Sequence, residues 1–465
     1  MKIVIIGAGI SGCTAYLLLK KHLPSQPLEV GQDSHSITIY EAHDTNKDTT
    51  PSDRRGGSTH SSTLVVGGGL GIGPNGLNVI QRLDETLLHN IVRGGYAVST
   101  SNLKTKNGTL LMQMSATEDA APGRPAMHMV GSSRHSLWRC IQQRVPDRDI
   151  VTTRVSKVVA NRHGRNEVHF ADGSDSVEAD LVIGADGVKG IVKRAIFPGE
   201  EEDPYPPQYE GLVGIGGFVS TDGIQDHIQP GSMNFILGGN GFFGYFFSES
   251  APSAPERDSP YHISPPGNTL TWWSTYSASE CPDPTTLDIA DVARQLQTRH
   301  AQWKDPVIQR ILGSCQVQDV YPTWTSPALP TWERDGVVLV GDAAHALPPT
   351  SGQGSSQALE DVEAFALLLS HFLREQKPAN EAGSVKHVIS MAARKYMELR
   401  RPRVEEILAD ARKRQNKKRD MTVVEEVVMY CAMWIIGCFP GFASGPLKKL
   451  FSFNMAEEVE RALGQ

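Results

Sequence analysis

Apolar and polar positions change period several times along this chain. Lys2–Ile6 is a short β-branched apolar run, the pattern of a buried strand. The run breaks at Gly7, Gly9 and Gly12, then resumes as Cys13–Leu19, followed by Lys20, Lys21 and His22. That pattern predicts a strand, a tight turn and a helix over 11–22, with cations suited to its C-terminal dipole. A secretory leader also begins with a charge and an apolar run, but has a longer apolar core and a small-residue cleavage site. The glycine breaks favour a folded strand–turn–helix.

SITIYEAH (36–43) alternates and is rich in β-branched residues, which predicts a second strand. The polar, turn-rich stretch before it reads as an exposed insertion, and 44–60 reads as a loop. STLVVGGGLGIGPNGLNVIQRL (62–83) predicts a strand, a glycine-dense turn and a helix starting near Pro74. Ser133–Val145 predicts a helix, and 151–181 holds strand-like stretches leading into the buried strand of DLVIGADGV (180–188). From Tyr209 to Cys281 the character changes. YEGLVGIGGFVS, GSMNFILGGNGFFGYFFSES and TLTWWSTYSAS predict antiparallel strands dense in aromatics, hence a second domain. GVVLVGDAAHALPPTSGQGSSQALEDVEAFALLL (336–369) returns to strand, loop and long helix, and from His371 onward the pattern is mostly helical.

At 465 residues the chain is too long for one simple core and predicts two or three domains. Its net charge of -7 offers nothing to a nucleic acid. The basic stretch ARKRQNKKRD (411–420) reads as a solvated helix face. Six sparse cysteines form no C-x-x-C pair, which suits a reducing, cytoplasmic setting and predicts neither a disulfide framework nor a metal site.

Gly7-Ala8-Gly9-Ile10-Ser11-Gly12 fits G-x-G-x-x-G between a strand and a helix. In such a loop the first glycine makes the tight turn and the second admits a pyrophosphate. The third lets helix and strand pack, and the helix N-terminus supplies free N–H groups. Glu41, at the end of the second strand, is a candidate ribose ligand. It stands 29 positions after Gly12, where about 20 is usual, and the polar insertion accounts for the excess.

Four further segments resemble the single-component flavin monooxygenases of group A, the para-hydroxybenzoate and salicylate hydroxylase-like family. They are GGGLGIGPNGLNVIQRL, SSRHSLWRCI, DLVIGADGVKGIVKRAIF and GVVLVGDAAHALPPTSGQGSSQALEDVEAF. The resemblance implies an α/β fold with a Rossmann-like FAD-binding domain, an inserted antiparallel-sheet substrate domain and a helical C-terminus. The boundaries it suggests are 1–200 and 331–375 for the FAD domain, 201–330 for the substrate domain and 376–465 for the helical region. It implies that Gly7, Gly9 and Gly12 receive the FAD pyrophosphate and Glu41 the adenosine ribose. Gly68 would lie in a loop near the cofactor, and Arg134 would contact it. Asp186 and Gly187 form the DG pair associated with FAD and NADPH. Gly341 and Asp342 would reach the ribityl chain. His345 and Pro348-Pro349 would line the approach to the flavin, and Gly352, Gly354 and Ser355 would open a helix whose N–H groups face it. Two departures stand out: Ser355-Ser356 where relatives carry Ala-Asn, and Lys193 where many carry arginine.

The implied activity uses NAD(P)H and O2 to form a flavin C4a-hydroperoxide that hydroxylates or epoxidises a bulky apolar or aromatic small molecule. An FAD-dependent oxidase or cyclase on the same fold is the alternative. The W-x-W-x-I-P segment of flavin halogenases is absent. His345, Pro348 and Tyr245 are the catalytic candidates, with Tyr209 and Tyr276 as further possible bases. Of Phe242, Phe243, Tyr245, Phe246, Phe247, Trp272 and Trp273, one alternating set is expected to face the pocket. Gly244 marks a bulge or a close backbone approach. Finally, no charge falls between Val427 and Leu447, but prolines and glycines interrupt the second half. The expectation is a helix packed on the substrate domain, with peripheral membrane contact as the alternative.

Overall fold

The computed structural model describes residues 1–24, 35–45, 69–119, 123, 125–199, 202–283, 288–314, 317, 319–375, 382–415 and 421–464. One layer is a six-stranded sheet in the order β18 (Glu333–Arg334), β19 (Val337–Leu339), β12 (Leu181–Gly184), β1 (Lys2–Ile6), β2 (Ser36–Glu41) and β8 (Ile150–Thr152). All neighbours are parallel except the β18–β19 pair. Strands covered on both faces read as unbroken apolar runs, and Ile3, Val4 and Ile5 are fully buried. Helix α1 (Ile10–His22) and the long α9 (Gly354–Glu375) pack together beside this sheet. A three-stranded sheet of β9 (Val155–Val159), β10 (Asn166–Phe170) and β11 (Val177–Ala179) joins the same core.

The second core lies behind a seven-stranded sheet in the order β17 (Asp319–Thr325), β13 (Gln208–Ser220), β16 (Thr269–Ser277), β15 (Gly241–Phe247), β14 (Ser232–Gly238), β5 (Thr100–Thr105) and β6 (Leu110–Ser115). β5 and β6 come from the first 200 residues, so this sheet is not confined to 201–330. The β14–β5 pair is parallel, so the sheet is mixed. No local pattern announces either feature, because both depend on pairing across more than a hundred residues.

Register decides which aromatics face where. Tyr245 pairs with Asn234 and Trp272 and shares their face with Phe243 and Phe247. This face is covered by α6 (Ile289–His300) and α7 (Pro306–Gly313), with His300 and Trp303 against Phe243. The opposite face presents Phe242, Phe246, Phe235 and Trp273, whose rings lie 5.8–6.3 Å apart in successive contacts. Gly244 is a close approach: a Cβ there would lie 2.0 Å from Cζ2 of Trp273.

The glycine-dense stretch before Pro74, expected as a turn, is instead β3 (Gly69–Ile72). It pairs with β7 (Met129–Ser133), which also pairs with β4 (Gly95–Val98). The glycines are needed because this small sheet lies directly on the aromatic face. A Cβ on Gly131 would lie 2.6 Å from the Phe246 ring, and one on Gly69 would lie 2.5 Å from Thr271. The helix α2 (Pro74–Leu83) begins at the predicted proline. It is followed by α3 (Glu85–Arg93) and, after β7, by α4 (Arg134–Gln142), inside the predicted 133–145. The short helices α5 (Lys193–Ile196) and α8 (Asp342–His345) follow β12 and β19. The C-terminal helices are α10 (Ala382–Gln415), α11 (Val423–Gly437), α12 (Pro440–Phe451) and α13 (Met455–Leu463). α11 and α12 pack on the edge strand β6.

Replacing Gly244 by alanine forces the Trp273 indole off the sheet. We expect a loss of about 1–3 kcal/mol in urea unfolding together with a changed tryptophan emission. An unchanged midpoint and spectrum would contradict this packing.

Candidate active site

Three loops meet at the C-terminal ends of the parallel strands, the edge at which such sheets bind ligands. Gly7 follows β1 with φ +103°, and its N–H donates to the Tyr40 carbonyl. A Cβ on Gly7 would lie 2.5 Å from the carbonyl oxygen of Ala185, in the loop after β12. A Cβ on Gly12 would lie 1.8 Å from the Gly7 carbonyl oxygen. Gly341, after β19, has φ +59°, and a Cβ there would meet Ser11 Oγ of α1 at 2.5 Å and Ala358 of α9 at 3.2 Å. At Gly7 and Gly12 another backbone approaches too closely for any side chain, and at Gly341 a positive φ and the side chains of Ser11 and Ala358 exclude one.

Gly9 caps α1 without a side-chain hydrogen bond, leaving the first-turn N–H groups to a ligand. Glu41 sits beside this loop. Its Oε2 accepts from Ala8 N at 2.7 Å and its Oε1 from His43 N at 3.0 Å. The long insertion therefore leaves the carboxylate in place, with lone pairs available to hydroxyls. Gly68 lies outside the described residues, as does most of the insertion.

Asp186 Oδ2 accepts from Val192 N at 3.0 Å, and burial pushes its carboxyl up to about 6. Asp342 opens α8. Its side-chain surface is open, yet it sits among dense packing that raises its carboxyl pKa, with His345 and Arg134 opposing the rise. Both conditions hold for a carboxylate on the floor of a cleft. Arg134, first residue of α4, is thus electrostatically coupled to Asp342.

Pro348 is buried and leads into one 3-10 turn, Pro349–Ser351, after which Gly352 turns left-handed at φ +62° and α9 starts at Gly354. A Cβ on Gly187, Gly352 or Gly354 would meet nothing within 4 Å. Tight glycines hold the loops together, and open ones leave room beside the N-terminus of α9, where the helix dipole favours negative charge. These features fit an extended dinucleotide with a planar ring at the α9 end.

Behind α9 lies a charge cluster that the sequence reading missed. Fully buried Arg400 of α10 binds Glu360 Oε2 through Nη1 at 2.6 Å, Asp361 Oδ1 through Nε at 2.8 Å and Gln357 Oε1 through Nη2 at 2.6 Å. Arg403 grips both Glu360 oxygens at 2.8 and 2.9 Å, and Asn75 Nδ2 donates to Glu360 Oε1 at 2.6 Å. Burial opposes ionisation, but the two guanidiniums hold the Glu360 carboxyl below its ordinary range, and His345 and Arg400 do the same for Asp361. Asp361 Oδ2 accepts from Gly341 N at 2.9 Å, so the cluster sets the position of the loop after β19. Ser356 Oγ accepts from Gly73 N at 3.2 Å, giving the departure from Ala-Asn a use: it joins the start of α2 to the first turn of α9. The signal for the cluster was present in QALEDVEAF and RRPR, charges set into otherwise buried helix faces.

His345 is anchored, and Tyr245 is corrected. His345 is buried, its Nε2 is 2.6 Å from Asp361 Oδ2 and its ring lies against Trp332, which fixes the ring on the charge cluster behind the loop. Tyr245 points to the α6–α7 side of the sheet, away from the three loops, and burial pushes its hydroxyl well above the ordinary phenol range. Pro348 remains beside the α9 N-terminus but carries no proton. Tyr276 lies on the same side as Tyr245 with Arg299 over its ring at 4.4 Å, and the Tyr209 hydroxyl donates to Ala278 O at 3.0 Å. Lys193 is buried and paired with Asp203 at 2.6 Å, which makes it structural. A cavity of about 560 Å³ lined by Asn102, Lys104, Gln225, His227 and Phe247 lies on the α6–α7 side, and no residue of the three loops lines it.

A family model described as an FAD binding domain matches residues 291–397, which include the loop after β19 and α9. Salicylate hydroxylase of Pseudomonas putida is 25% identical over 354 residues, covering 73% of this chain and 74% of that protein. The 3-amino-4-hydroxybenzoate 2-monooxygenase PtmB3 of Streptomyces platensis is 24% identical, covering 80% of this chain and 86% of that protein. Among solved structures, Klebsiella pneumoniae HpxO complexed with FAD and uric acid superposes with a TM-score of 0.69 at 20% identity, covering 98% of this chain and 97% of that one.

Two outcomes follow from the electrostatics. Arg400→Ala leaves Glu360 and Asp361 buried with reduced compensation, and should cost about 3–5 kcal/mol in denaturant unfolding at neutral pH. Because both carboxyls are depressed in the folded state, that difference persists above the ordinary carboxylate range and shrinks as pH falls below it. A loss that does not depend on pH would contradict the ion-pair account. Asp186 has the opposite sign: its raised pKa means ionisation above pH 6 costs stability. In FAD-free protein, Asp186→Asn should stabilise by up to about 3 kcal/mol above pH 6 and by nothing below about pH 4. Equal effects at both pH values would refute the assignment.

Proposed function

From the chain's place among the group A FAD-dependent monooxygenases, we propose that it uses NAD(P)H and O2 to hydroxylate or epoxidise a bulky apolar or aromatic small molecule. The observation that carries this reading is the pairing of a dinucleotide cradle with an aromatic wall one strand away. Gly69 of β3 lies on Phe246, and Gly73, between β3 and α2, bonds to the first turn of α9.

The residues divide the work as follows. The N–H groups around Gly9 and the first turn of α1 bind the FAD pyrophosphate, and Glu41 accepts from the adenosine ribose. Asp342 and Arg134 flank the chain that links phosphate to ring. The N-terminus of α9, with Gly352, Gly354 and Ser355, faces the ring and stabilises negative charge there without a full cation. Asp186-Gly187 borders the open space in which NAD(P)H docks transiently, since the chain carries one dinucleotide fingerprint. Bound FAD supplies hydride acceptance and oxygen transfer; the protein supplies orientation and a dry site. Phe235, Phe242 and Trp273 form a partly open apolar face that excludes water and stacks a ring or hydrocarbon skeleton. Of the groups considered as a base, Tyr245 and Tyr276 lie on the other face, the Tyr209 hydroxyl donates to Ala278 O, and His345 is anchored to Asp361 through Nε2.

The test is turnover under labelled oxygen. With ¹⁸O2 and NADPH or NADH, aromatic and polycyclic apolar candidates should accelerate cofactor oxidation, and the product should gain one ¹⁸O. Substrate oxidation that needs no NAD(P)H and leaves the label out of the product would overturn the proposal in favour of an oxidase or cyclase.

A further inference from the structure

We infer that α11 is an interfacial membrane-docking helix that lies on an anionic bilayer surface. Its inner face is fixed to the substrate sheet. Buried Glu426 pairs with Lys106 at 2.7 Å and accepts from Gly239 N at 3.1 Å, and Tyr430 donates to Leu237 O at 2.7 Å. A Cβ on Gly437 would lie 2.4 Å from the Leu111 carbonyl oxygen, so the helix sits close against β6. A capping box of Thr422 and Glu425 starts it.

The outer face is apolar and uncovered. Val424, Val428, Trp434 and Ile435 are 72%, 62%, 58% and 55% exposed, with Val427 at 52%, and Phe439 just beyond the helix at 63%. Cys431 is also exposed on this stripe. Positions 424, 427, 428, 431, 434 and 435 recur at helical spacing, so they form one continuous strip. Isolated exposed apolar residues are ordinary, but a contiguous strip of this kind marks a docking surface.

Charge selects the occupant. The whole chain is acidic, yet six of the eight residues 412–419 are Arg or Lys, and they precede α11 directly. Arg412 and Lys413 are exposed at the end of α10, and Lys449 is 77% exposed at the end of α12. Its pairing with Glu406 is a surface contact of little energy. An apolar strip flanked in sequence by cations on both sides is the pattern that lies in the interface of an anionic bilayer. At 15 residues α11 is about 22 Å long, short of the roughly 30 Å hydrocarbon core. No helix among the described residues is long and apolar enough to cross a membrane. The docking stands apart from the catalytic reading, because none of these side chains belongs to the dinucleotide cradle.

The experiment is flotation of the full chain with phosphatidylcholine vesicles, with and without phosphatidylserine. Wild type should float with the anionic vesicles, and float less with zwitterionic ones or in high salt. The triple variant Val424→Asp, Val428→Asp, Ile435→Asp should partition at least about tenfold less while keeping its FAD content and urea midpoint. Trp434 emission should shift to the blue with anionic vesicles, and the Trp434→Phe variant should lose that shift. The inference fails if wild type does not float or if the folded triple variant floats equally well. It also fails if α11 instead holds a soluble dimer that the triple variant dissociates.

Discussion

The absence of any Cβ where three strand-end loops converge is the constraint on which the rest of the molecule depends. Gly7, Gly12 and Gly341 bring the first turn of α1, the loop after β12 and the loop after β19 to distances that no side chain allows. That convergence exposes backbone N–H groups at the start of α1, the surface a pyrophosphate requires. Where the same loops carry glycines with open space around them, at Gly187, Gly352 and Gly354, the structure leaves volume where the other glycines leave none.

The cradle is held from behind by charge. Glu360 and Asp361 stand side by side on α9, and Arg400 and Arg403 on α10 compensate both. Such a cluster is expensive to bury and gains little net stability, but it admits few alternative arrangements of its partners. Here it ties α2, α9, α10 and the loop after β19 into one geometry through Asn75, Gln357 and the Gly341 N–H. His345 belongs to this support. Its Nε2 is held by Asp361, which fixes the ring against Trp332.

The parts legible in the sequence were those set by local backbone demands. A glycine turn between a strand and a helix, a carboxylate at the end of β2 and a proline at the start of α2 each follow from short-range rules, and each lies where expected. What stayed illegible depended on distant pairing. β3 looked like a turn because its glycines serve contact with Phe246, which lies far along the chain. β5 and β6 join a sheet whose other strands begin a hundred residues later. Alternation predicted that one set of aromatics faces the pocket; the register of β14, β15 and β16 puts Phe242, Phe246 and Trp273 on one face and Phe243, Tyr245 and Trp272 on the other. The uncharged C-terminal stretch carried an ambiguity between packing and membrane contact. The structure gives α11 an inner face that packs and an outer one that is bare.

The central claim is that the converging glycine loops hold FAD, and the most direct measurement is a flavin absorbance titration of wild type against Gly12→Val. Wild type should bind one FAD per chain with a perturbed flavin spectrum. The variant should bind none, because its new side chain would sit where the Gly7 carbonyl lies. A wild-type protein that stays colourless and takes up no FAD, or a folded Gly12→Val protein that binds it equally well, would contradict the account.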